Sequence, residues 1–150
     1  MTRRGTAAAL LLLLGIGCTR PAPPVASAKA GGIEITDAFA YAPITPEAGA
    51  AYFSLHNAGS SADTLVSVST PIAAKTGIHG MMGNSGGGMT PLAVVPIPPG
   101  ATVQLKPGGM HLMFENMNDL PKAGSRLSLT LTFSAAGAVT LDVPVRAYSQ

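Results

Sequence analysis

RLSLTLTF, residues 126–133, alternates apolar and polar side chains without a break. In an extended chain this puts Leu127, Leu129, Leu131 and Phe133 on one face and Ser128, Thr130 and Thr132 on the other, the pattern of a half-buried strand. A turn at Ala135-Ala136-Gly137-Ala138 follows, and Val139, Leu141, Val143 and Val145 repeat the alternation. The two runs form a hairpin. Pro144 cannot donate to a ladder, so one side of the second run is expected to be an edge.

The same texture extends upstream. Short runs at 33–41, 50–57, 63–68, 75–79, 89–95, 102–105 and 110–115 are separated by Gly and Pro, and no long helix is predicted. Residues 116–120 could hold one helical turn. Strands at this spacing predict an all-β, antiparallel Greek-key sandwich or barrel over residues 33–150.

The first eighteen residues, MTRRGTAAALLLLLGIGC, read as a signal peptide: Arg3 and Arg4, an apolar run from Ala7 to Leu14, then small residues before Cys18. That run is shorter than the ~20 residues of a membrane span. Cys18, the single cysteine, sits where a bacterial lipoprotein signal places the residue that is lipidated, although Gly15 stands where a lipobox usually has leucine. A competing cleavage after Ala30 lies far from the apolar run. Residues 19–32, TRPAPPVASAKAGG, read as a flexible tether. The expected location is the periplasm or cell envelope, with membrane contact only through the N-terminal lipid.

A lone cysteine in the signal leaves the domain without an internal disulfide and without thiolate for a metal. The net charge of +2 includes the signal's own arginines, and no basic cluster marks a nucleic-acid partner. A blue-copper carrier needs a Cys thiolate beside two histidines, which the domain lacks. Copper-zinc dismutase chemistry needs more than three histidines, and no paired nucleophile and base suggests a hydrolase. The chain is read as a non-enzyme.

Two short stretches concentrate the chemistry: IHGMMGNSGGGMTPL at 78–92 and GGMHLMFENM at 108–117. In the second, strand geometry puts Met110, Leu112 and Phe114 on one face and His111 with Met113 on the other, about 7 Å apart along the strand. In the first, His79 and Met89 bracket nine residues, five of them glycine, a loop permissive enough to bring its ends together. Two imidazoles and two thioethers make a soft, neutral donor set that suits copper(I) and disfavours zinc, calcium or magnesium. Thioethers also survive oxidising compartments better than thiolates. Met81 and Met82 are either spare sulfurs or exposed by chance. Met110 and Met117 read as core filler and His56 as a surface or hydrogen-bonded residue. Spacing leaves a metal site and accidental clustering both open, and a structural or adhesive sandwich remains the alternative.

The chain resembles the periplasmic copper(I) chaperone family (PCuAC type), whose signature is His, ten residues, Met, twenty-one residues, His, one residue, Met. Met89, the twenty-one residues Thr90 to Met110, His111 and Met113 match in full, while His79 lies one residue nearer Met89 than the pattern has it. ITDAFAYAP, GAAYFSLHNAGSSADTLVSVSTP, IPPGATVQLKPGGMHLMF and LTLTF also resemble family segments in order, across residues 33–146. The resemblance implies a cupredoxin-like or immunoglobulin-like β-barrel and a Cu(I) site at His79, Met89, His111 and Met113. It further implies delivery of copper(I) for the binuclear centre of cytochrome c oxidase, to oxidase subunit II or a thiol-bearing copper chaperone.

Overall fold

A computed structural model describes residues 25–81 and 88–148. The signal, Cys18, the first part of the tether and Met82 lie outside the described residues. Eleven strands follow in order: β1 (Ala26–Ala30), β2 (Ile33–Tyr41), β3 (Ala48–Asn57), β4 (Asp63–Ser69), β5 (Ala73–Met81), β6 (Met89–Leu92), β7 (Val95–Ile97), β8 (Thr102–Leu105), β9 (His111–Met117), β10 (Arg126–Phe133) and β11 (Gly137–Arg146). The all-β expectation holds.

The hairpin that decides the fold is β10–β11, in the expected phase: Leu127 pairs with Val143, Leu129 with Leu141 and Leu131 with Val139. Its leucines and Phe133 are buried, and each fully buried side chain of this size contributes about 1.5–3 kcal/mol. Asp63, at the start of β4, closes the turn. Its carboxylate accepts from Thr64 N (2.7 Å), Ala135 N (2.8 Å), Ala136 N (2.9 Å) and Ser134 Oγ (2.9 Å).

One layer runs β6-β5-β9-β3-β2, with β1 added to β2 and β8 to β3; the other runs β11-β10-β4-β7. Ile35, Leu55, Leu112, Leu129 and Val143 are among the side chains filling the space between them. The layers join where β11 ends, because Val145 and Arg146 pair with Ala40 and Tyr41 of β2. That pairing is parallel and closes most of an otherwise antiparallel sheet into the expected sandwich or barrel. β11 keeps its β10-side bonding past Pro144, where Val145 N donates to the Ser125 carbonyl and Gly124 N to the Val145 carbonyl, both at 2.9 Å.

Three expectations change. Part of the stretch 19–32 expected as tether is a strand, because Ala26 to Ala30 forms β1 and turns into β2 through Gly31 at φ 53°. Its buried residues, Ala26 and Ala30, are too small to give an apolar signal in sequence. The single run 89–95 divides into β6 and β7, which pair with β5 and β4 in opposite layers; the chain crosses between layers at Ala93 and Val94. Residues 116–120 hold no helical turn: Asn116 is left-handed at φ 53°, and β9 continues through it to Met117.

Candidate metal-binding face

Register builds the site. In β5 and β9 the inward residues Ile78 and Leu112 pair in the core, which turns their neighbours to the outer face. There His79 stands opposite His111, and Gly77 opposite Met113. On β6, Met89 is opposite Met81 and Pro91 opposite His79. On β3, Ala50 is opposite Met113. His79, Met89, His111, Met113 and Met81 therefore share one outer face of one layer.

The two imidazoles are in contact, with ring centroids 5.9 Å apart and planes tilted 58°. His111 Nδ1–H donates to the Gly109 carbonyl at 2.9 Å. A carbonyl can only accept, so the proton belongs on Nδ1 and Nε2 keeps its lone pair, the arrangement that orients a metal-binding histidine. His79 Nδ1 is buried without a hydrogen-bond partner, a state that costs about 1–3 kcal/mol when nothing satisfies it. Gly77 leaves room for His79: a Cβ there would lie 3.3 Å from His79 Nε2, close enough that the ring would have to shift by a few tenths of an ångström.

Met89, His111 and Met113 line a groove of about 310 Å³ together with Tyr41, Tyr52, Tyr148, the segment 42–45 and Ala48 to Ala50. The ring centroids of Tyr41 lie 5.7 Å from Tyr52 and 5.2 Å from Tyr148, and Arg146 stacks its guanidinium 3.8 Å above Phe39. Burial, then repulsion from the Tyr41 and Tyr148 phenols, raises the Tyr52 pKa, which keeps that hydroxyl protonated. Sequence reading missed this aromatic wall. Its cause is a bulge in β2 at Asp37, φ 55°, which shifts the alternation so that Ala38 and Ala40 take the core while Phe39 and Tyr41 turn out. Such a break in phase leaves no mark in hydropathy.

The charge nearest in register is already paired, since Lys75 bonds Glu115 one outward position beyond Gly77 and Met113. Among the described residues no group of three or more His, Cys, Asp or Glu could hold a metal. An ion on this face would have to use thioether sulfur, so the donors present fit a soft monovalent ion. The readings of three other residues hold: His56 Nδ1 contacts Thr102 Oγ1 at 3.0 Å, Met117 is buried and Met110 packs against the core.

Comparison with known proteins finds lipoprotein relatives by sequence and PCuAC domains by fold. A family model described as "Putative lipoprotein LpqE-like" matches residues 33–145. A curated relative, "Putative lipoprotein Lxx21020" of Leifsonia xyli subsp. xyli, is 29% identical over 97% of this chain and 90% of its own length. Two solved structures share the fold. The apo PCuAC domain from PmoF1 has a TM-score of 0.71 and 27% identity, over 82% of this chain and 100% of its own. The copper-bound PCuAC domain from PmoF2 has a TM-score of 0.72 and 23% identity, over 82% of this chain and 99% of its own.

Proposed function

The chain belongs to the LpqE-like family, and from that premise we propose that it is an exported, lipid-anchored carrier of copper(I), bound through His79, Met89, His111 and Met113. The observation that carries the reading is the register of β5, β6 and β9, which gathers four neutral donors, two imidazoles and two soft thioethers, on one outer face. A sandwich serving only as a structural or adhesive module has no reason to align them. The orphaned His79 Nδ1 and the free Nε2 of His111 add to it. So does likeness to a domain solved with copper.

The chain's own residues would act by holding and releasing, with no bond made or broken in a substrate. His111 is held in one tautomer by Gly109, and His79 is seated over Gly77. Met89 is 53% exposed, so a partner's sulfur or nitrogen could approach the ion from that side and displace its ligands one at a time. An acceptor with a thiol or imidazole would take the ion by such stepwise exchange. A thiol-bearing copper chaperone or cytochrome c oxidase subunit II has that chemistry, and assembly of the oxidase's binuclear centre is the destination we favour. The carrier is not an enzyme. Its lipid would be carried by Cys18, as the lipoprotein names of its relatives suggest.

A copper(I) competition titration against a colorimetric chelator tests the reading. His111→Ala and Met113→Ala should each weaken binding by more than about tenfold, since loss of an outer-shell partner alone costs that much. Parent-like affinity in both would remove this site.

A further inference from the structure

Met81 and Met89 are direct cross-strand partners at the outer edge of the layer, and they are the methionines that stand out as exposed, at 49% and 53%. A single exposed methionine needs no explanation. Two facing each other are different, because opposed residues in a ladder have Cβ atoms about 4.5–5.5 Å apart. Each thioether swings on three rotatable bonds, so both sulfurs can reach one ion. The pair continues the imidazole row: Met81 is two residues beyond His79 on the same face, about 7 Å along the strand. Met89 also lines the groove with His111 and Met113, whereas Met81 does not. Met89 thus belongs to two donor groups, an exposed one with Met81 and a half-buried one with the histidines and Met113.

We infer that Met81 and Met89 form a two-thioether capture pair, where copper(I) is first held before it moves inward and from which it leaves. The inference rests on the copper-carrier reading above. The step is ligand exchange alone. The Met81 Sδ–copper bond breaks as bonds to a His79 or His111 nitrogen and to Met113 Sδ form, Met89 Sδ stays bound throughout, and copper remains monovalent. Exchange between proteins needs states in which the ion is held by few donors. Two neutral sulfurs at an edge provide one without burying the ion.

The test uses the full chain in detergent and the volume-conserving variant Met81→Leu, which at an exposed position leaves the strand intact. Stopped-flow transfer of copper(I) from a chelator should slow by about tenfold, the scale on which a donor held within reach speeds a second binding step. Equilibrium affinity should stay close to that of the parent. Silver(I), added below one equivalent to protein carrying 13C-methyl methionine, should broaden the Met81 and Met89 methyl signals together. Transfer at the parent rate, or a Met81 methyl that stays sharp, would overturn the capture role. Loss of equilibrium affinity as large as in His111→Ala would make Met81 a resident ligand and overturn it too. If the parent itself binds no copper(I), the carrier reading fails; if it binds while Met81→Leu transfers at the parent rate, the capture pair alone fails.

Discussion

His79 and His111 face each other directly across the β5–β9 ladder, with ring centroids 5.9 Å apart. Their meeting is fixed by backbone pairing, so the glycine loop between His79 and Met89 can lose a residue without moving either ring. X-ray absorption on the copper-loaded protein should therefore find two nitrogen and two sulfur neighbours. A single nitrogen would show that His79 stays out of the ligand shell.

Gly77 sets how His79 sits. Gly77→Val should displace the imidazole, because a Cβ would already stand 3.3 Å from Nε2, and copper(I) affinity should fall by about tenfold, the scale of a misoriented ligand. The unfolding midpoint should hold or rise, since a β-branched residue suits an outer strand position. Unchanged affinity would mean that the ring has room elsewhere.

Asp63 is predicted to matter for stability and not for copper. Burial alone would raise its pKa, but the Ala135, Thr64 and Ala136 amides and the Ser134 hydroxyl together bring it below the usual aspartate range. Asp63→Asn should cost about 1–3 kcal/mol by leaving donors unmatched. In the parent this stabilisation is complete above the unfolded-chain value of about 4, and it is lost as pH falls through the lower folded value. Thermal melts across that range should show the variant with the flatter acid limb. Equal limbs would remove Asp63 from the acid response.

Cys18→Ser tests the anchor. The parent should sediment with membranes and the variant should be released, because one short apolar run and no lipid give too little binding. Equal partition would point to the competing cleavage after Ala30.

Strand phase was readable wherever large apolar residues alternate, as in Leu127 to Phe133, and the donor spacing of His111 and Met113 follows from the same alternation. Three things were not readable. Alanines carry too little contrast to announce β1. The left-handed residues Asp37 and Asn116 reset the phase with ordinary side chains. The convergence of His79 on His111 is a long-range pairing, which no local window contains.

The strand order ends at β6 on one side and β7 on the other, and each of these short strands carries a proline, Pro91 opposite His79 and Pro96 opposite Thr64. A bare strand edge is a template for another chain, and proline withholds the N–H that such pairing needs. The edge that carries Met89 is therefore a poor site for strand addition. Copies of this protein meeting at that edge would not zip into a continuous sheet, and Met89 would stay open to solvent.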